Sequence, residues 1–134
     1  MNKKTFLLSI LLFFIAFNQG NAQAKPESDS SIIGTWKGTS ICQVKNSPCH
    51  DENVVYHISK GGGVDTFNIR ADKIVNGVEE DMGILPCWYN RKKGELISTA
   101  YNSKWTFKIK GKSIDGTLFA RGTLYRIIKV AKVD

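Results

Sequence analysis

The residues with metal-binding or nucleophilic chemistry gather in one short stretch. Cys49, His50, Asp51 and Glu52 are consecutive, and His57 follows shortly after. Thiolate, imidazole and carboxylate are the donors that zinc and related ions take, but the spacing matches none of C-x-x-C, H-E-x-x-H or C-x-x-C-H. An oxidised Cys49 could not bind a metal at all. The plainer reading is a polar loop followed by an outward-facing His57, so no metal is expected. Catalysis has no better anchor. The chain has two histidines, no G-x-S-x-G elbow and no phosphate-cradling loop, and its carboxylates are scattered. It reads as non-enzymatic, with no catalytic residue and no cofactor.

Three cysteines allow one bridge and leave an odd thiol. Cys42 and Cys49 flank the polar loop QVKNSP, and a bridge there would pin an exposed loop. Spacing alone does not dictate the pairing, but 42–49 is favoured over either pairing with Cys87. Cys87, beside Pro86 and Trp88, then reads as a small buried hydrophobe. Alternation puts Gly34, Trp36, Gly38, Ser40 and Cys42 on one side of an extended segment. The small residues leave room for a ligand or a bulky neighbour, or serve tight curvature. Leu124, Arg126, Ile128 and Val130 also share a face. An arginine in an apolar row is costly unless something anionic or aromatic meets it. Arg126 would anchor the acid group of a small lipophilic ligand, or stack on an aromatic ring, or be turned outward by a bulge; the last two are the plainer readings.

These residues need elements to hold them. The chain has 134 residues, 42% hydrophobic and 23% charged, with three prolines. That suits one compact domain and excludes a disordered, collagen-like, multidomain or polytopic membrane protein. Lys3 and Lys4 precede the apolar run FLLSILLFFIAF, and Ala22-Gln23-Ala24 follows as a small-residue cleavage pattern. This is the layout of a secretory signal peptide over 1–24, cut after Ala22 or Ala24, and the run is too short for a membrane span. Residues 25–31 (KPESDSS) read as a flexible leader and 32–134 as the folded domain. Within that domain, Val-, Ile-, Thr- and aromatic-rich segments alternate with turn signals such as Asn76-Gly77 and Arg121-Gly122. Eight strands are expected, at about 32–42, 53–60, 65–75, 78–89, 94–101, 104–110, 113–121 and 123–132. The clearest is KWTFKIK, with Trp105, Phe107 and Ile109 on one face. Eight hairpin-linked strands, each with one apolar face, hide those faces and their edges best by closing into a barrel. The fold class is therefore all-β, an eight-stranded antiparallel up-and-down barrel after an N-terminal signal helix. Pro86 cannot donate to a ladder, so the barrel should open beside it, most simply between the fourth and fifth strands.

Gly34-Thr35-Trp36 at the start of the first strand, with WTFKIKGKSIDGTL and GTLYRIIKVAK toward the end, resembles the Gly-x-Trp pattern of the lipocalin-like, or calycin, barrels. The resemblance implies that Trp36 closes one end and that a basic residue of the last strand, Arg126 or Lys132, packs across its ring. It also implies a small, partly apolar ligand inside, with Trp36, Tyr56, Phe67, Trp105, Phe107 and Arg126 as candidate lining residues. The chain is shorter than lipocalins usually are and shows no flanking helix, which argues against a deep cup.

Charge is unevenly spread. Residues 25–90 carry 6 Lys/Arg and 9 Asp/Glu, whereas residues 91–134 carry 11 and 3. Lys108, Lys110, Arg121 and Lys129 should point outward. The face they make suits an anionic envelope component, although a charged barrel exterior that resists aggregation is the plainer reading. The expected setting is the periplasm or the outside of a bacterial cell, where a disulfide persists and nucleic acid is not a partner. A second functional class is a barrel whose loops or basic face bind another protein, as periplasmic lysozyme inhibitors do. Many lysozymes are themselves basic, a poor match for a basic second half.

Overall fold

The computed structural model describes residues 27–134, so the signal peptide expected over 1–24 lies outside the described residues. Eight strands follow one another in a closed antiparallel barrel: β1 (Gly34–Cys42), β2 (Glu52–Lys60), β3 (Thr66–Val75), β4 (Val78–Asn90), β5 (Glu95–Ser98), β6 (Ser103–Lys110), β7 (Ser113–Ala120) and β8 (Thr123–Lys132). Each strand pairs with its neighbour in sequence, and β1 closes on β8 from Trp36↔Lys132 to Cys42↔Arg126. Short turns set this order. Asn76-Gly77 and Arg121-Gly122 hold positive φ at both residues, the two-residue geometry whose twist matches that of paired strands.

Alternation decides what the barrel encloses. Tyr56 and Ile58, Phe67 and Ile69, and Phe107 and Ile109 all turn inward and are buried. The interior around Trp36, Phe67, Phe107, Leu96 and Ile128 is filled with side chains. Gly116 makes room for one of them, since a Cβ there would meet the Phe107 ring at 2.8 Å. Gly38 answers a different need. A Cβ on it would lie 1.9 Å from the Lys129 carbonyl oxygen, so β1 and β8 close only because that position is bare.

The flexible leader expected over 25–31 is corrected over its described part. Residues Asp29–Ile32 form one helical turn, α1, that caps the barrel end from which β1 starts. Ile32 is fully buried, and its carbonyl accepts a 3.0 Å hydrogen bond from Trp36 Nε1. The Glu27 amide donates to Tyr89 Oη at 3.1 Å, and Asp29 bridges Lys60 and Arg91 at 2.9 Å each. Burial of one isoleucine and a satisfied indole N–H are enough to hold so short a segment against the core.

Two further departures concern β4 and β5. The fifth strand stops at Ser98 instead of running to 101, because Tyr101 (φ 59°) and Asn102 (φ 54°) take left-handed backbone that cannot continue a ladder. The β4–β5 ladder then consists only of Trp88↔Ile97, Tyr89↔Leu96 and Asn90↔Glu95. Pro86 pairs with Asn68 of β3 and with nothing on the β5 side, so the barrel opens where proline demands it.

A Gly38→Ala chain should therefore lose about 1–3 kcal/mol or more, because backbone rather than a movable side chain blocks the new methyl. Gly62→Ala, where nothing lies within 4 Å, should stay within about 0.5 kcal/mol. Urea unfolding midpoints of the two variants check this, and equal midpoints would refute the role given to Gly38.

Candidate functional site: a cup at the disulfide end

The two barrel ends differ. At the end capped by α1, Trp36 is completely buried, and Lys132 Nζ lies 5.8 Å from its ring centroid while donating to the Ser31 carbonyl at 2.9 Å. Of the two basic residues expected across Trp36, it is Lys132 that sits there. Register explains the choice, since Trp36 pairs directly with Lys132 while Arg126 pairs with Cys42 at the opposite end.

At that opposite end the interior is not filled. A cavity of about 190 Å³ opens there. Tyr56, Ala71, Leu85 and Trp105 line its apolar part, with Ser40, Glu52 and Arg126 supplying the polar part and Met82, Gly83 and Tyr101 the β4 side. Tyr56 meets Phe107 edge-on at 5.9 Å between centroids, and Trp105 stacks on the same ring at 6.2 Å. Phe107 is thus buried packing beneath the two aromatic walls. Burial pushes the Tyr56 phenol well above its ordinary range, with Arg126 pulling down and Glu52 pushing up, so it stays neutral. Trp105 Nε1 is buried in the wall without a hydrogen-bond partner among the described residues.

Arg126 points inward with its side chain 12% exposed, which corrects both the stack on Trp36 and the outward bulge. A register shift does occur beside it, between Leu118 and Phe119, but leaves Arg126 turned to the cup. Its Nη1 donates to Ser40 O at 3.3 Å, Ser40 Oγ at 3.2 Å and His50 O at 3.0 Å. Its Nη2 lies 3.6 Å from Glu52 Oε1. The charge is therefore met by the protein's own oxygens, so the acid-group anchor expected of Arg126 is not standing free.

The loop above the cup is fastened twice. Cys42 and Cys49 form a disulfide with Cα atoms 5.9 Å apart, and Asp51 Oδ1 accepts from the Cys42 amide at 2.9 Å. Cys87 is the free thiol, buried, and burial pushes it up to about 12. Such a thiol is inert at neutral pH. Tyr101 crosses the opening between β4 and β5, with its hydroxyl donating to Ile84 O at 3.2 Å. Gly83, at φ 116°, is the extra residue where the β3–β4 register shifts, and a Cβ there would come within 3.3 Å of the Tyr101 hydroxyl.

Of the six candidate lining residues, Tyr56, Trp105 and Arg126 meet at the cup. Phe107 is packed beneath it, and Trp36 and Phe67 are core; Phe67 sits edge-on to Tyr89 at 6.0 Å. Glu52 belongs to the cup rather than to a loop motif with Cys49 and His50. Tyr101 and Gly83 had no signal in the sequence, because left-handed backbone at a tyrosine is not written in residue type.

His57 belongs to a separate cluster on the outer wall. Its Nε2 lies 2.9 Å from Glu79 Oε2 and 3.3 Å from Asp72 Oδ2, and its Nδ1 is 3.4 Å from Thr35 Oγ1. These three side chains could offer donor atoms to an ion, but Arg70 Nη2 already holds Asp72 Oδ2 at 2.9 Å and Arg70 Nε reaches Oδ1 at 3.3 Å. The cluster is an ion-pair network whose positive partner is built in. On the outer surface, Lys104, Lys108 and Lys129 are exposed, with Asp115 bridging Lys110 and Lys129 at 2.8 and 3.1 Å. No helix among the described residues is long and apolar enough to cross a membrane.

The hydrogen bonds from Arg70 hold the buried Asp72 carboxyl below its ordinary range. A lowered native value gives stability that is fully present above the unfolded value, near pH 4, and is lost as pH falls through the native one. Asp72→Asn should thus cost about 1–3 kcal/mol at neutral pH. The gap to wild type should narrow as pH falls below the unfolded value and on through the lowered native one. Urea midpoints at neutral pH and in acid check the sign; a gap undiminished in acid would contradict it.

Compared with protein-family models and with curated proteins, the chain has no match.

Proposed function

We propose that the protein is an exported, non-enzymatic barrel of lipocalin-like form that holds a small, partly apolar molecule in the cup at its disulfide end. The observation that carries this reading is the asymmetry of the interior. One end is packed solid behind Trp36 and Ile32, while the other keeps about 190 Å³ open between aromatic walls and a polar rim. A cavity of about 150 Å³ already accepts a benzene-sized guest, and drug-sized ligands need roughly 300 Å³ or more. The occupant is accordingly single-ring in scale. Lys132 over Trp36 is the contact the lipocalin-like resemblance implies, which supports that form of barrel. The disulfide suits a non-reducing compartment, in keeping with the N-terminal apolar run and its small-residue cleavage pattern.

The exposed lysines of β6 and β8 favour a second reading, in which the outer face binds an anionic envelope component or another protein. Pull-down from a cell envelope at low and high salt separates the two, since only the second predicts a salt-sensitive macromolecular partner.

Native mass spectrometry of the purified protein should show a small non-covalent adduct and one disulfide. Ala71→Leu, which adds bulk to the cup wall, should remove the adduct while leaving the far-ultraviolet spectrum unchanged. An adduct retained by Ala71→Leu, or none in wild type together with no binder among ring-sized probes, would end the reading.

A further inference from the structure

We infer that the cup selects uncharged, ring-sized ligands bearing one hydrogen-bond donor and turns away carboxylates, in spite of the arginine in its wall. This rests on the binding-barrel reading above and adds the chemistry of the occupant. The first support is how Arg126 is spent. Nη1 already serves three oxygens of Ser40 and His50, and the charge is matched by Glu52 3.6 Å from Nη2. A ligand carboxylate would have to compete with Glu52 for the guanidinium while being repelled by it.

The second support is Glu52 itself. Its side chain is 22% exposed at the cup, and its ion pair with Arg126 is long for a charge-assisted hydrogen bond. An ionised carboxylate offers about four acceptor sites, so Glu52 keeps room for a donor from the occupant. A cationic ligand gains less than Glu52 alone suggests, because Arg126 stands beside it.

The third support is the wall. Tyr56, Leu85, Ala71 and Trp105 give the cavity an apolar body, and a charge carried there without its own partner is expensive. A neutral ring fills that body and leaves only its polar edge to reach Glu52. The cup is thus a site of balanced charge, where the ion pair orients a dipole instead of holding an ion.

The test uses p-cresol, benzoate and benzylammonium, probes of similar size and different charge, titrated into the purified protein by calorimetry. Wild type should bind p-cresol about tenfold more tightly than either ion. Glu52→Gln removes the negative partner and leaves Arg126 uncompensated, so benzoate affinity should rise by about tenfold while p-cresol changes little. Wild type preferring benzoate or benzylammonium, or a Glu52→Gln protein with an unaltered ranking, would overturn the inference and leave the ligand cup standing. If none of the three binds, the inference falls, and the cup reading falls with it only where mass spectrometry also shows no adduct on wild type.

Discussion

Everything in this barrel depends on how closely β1 and β8 approach. The ladder between them is the one pairing that joins the two ends of the domain, and it runs over a position where a methyl group has no room. Closure turns every strand's apolar face toward one axis and gives β1 and β8, the strands that would end an open sheet, each other as partners. It also settles which residues face each other. The register that brings Trp36 against Lys132 brings Cys42 against Arg126. One end thereby receives an indole and its cation, and the other receives a disulfide and a guanidinium.

The contrast between the ends follows from what fills them. Where α1 folds over the rim, Ile32 and Trp36 occupy the axis and the buried indole N–H finds a carbonyl. At the far end the same axis is reached by Ser40, Glu52 and Arg126, which cannot be packed as a hydrocarbon layer would be. They satisfy one another along the rim instead, and Arg126 ties β8 to the loop through His50. The disulfide and the arginine therefore hold the same loop from two sides. That loop joins the strand ends that carry Ser40 and Glu52, so this part of the cup's rim is held by covalent and charge-assisted bonds.

Much of the barrel was legible in the sequence because alternation is a strong and local signal. Tyr56, Phe67, Phe107 and Ile109 stand on the buried side as their period of two requires, and the Cys42–Cys49 bridge follows from two cysteines flanking one polar loop. What escaped depends on contacts between distant residues. KPESDSS has no periodicity, yet its end is ordered by Ile32 finding a hole and by Asp29 meeting two cations that arrive much later in the chain. Arg126 read more plainly as a stack on Trp36 or an outward turn than as an anchor, because Glu52 and Ser40 reach it only through closure. His57 faces outward as expected, but the sequence did not show that β3 and β4 bring Asp72 and Glu79 to it. Local pattern gave the wall, and tertiary pairing decided what stands at its ends.

The interrupted β4–β5 ladder raises a final question of economy. An unpaired strand edge invites pairing with another chain, and β4 leaves its β5 side bare from Val78 to Cys87. Three features along that stretch answer the hazard. Glu79, Glu80 and Asp81 put like charge on the tip, Gly83 breaks the pleat with an extra residue, and Pro86 removes a donor. Tyr101 then covers the opening by bonding to the Ile84 carbonyl, at the expense of left-handed backbone that a tyrosine rarely adopts. Two of these residues, Gly83 and Tyr101, also line the cup. A Cβ on Gly83 would press on the Tyr101 hydroxyl at 3.3 Å, and Met82 joins both in lining the β4 side. The opening is thus a place where the barrel gives up ladder hydrogen bonds and walls the β4 side of the cup with Met82, Gly83 and Tyr101 instead.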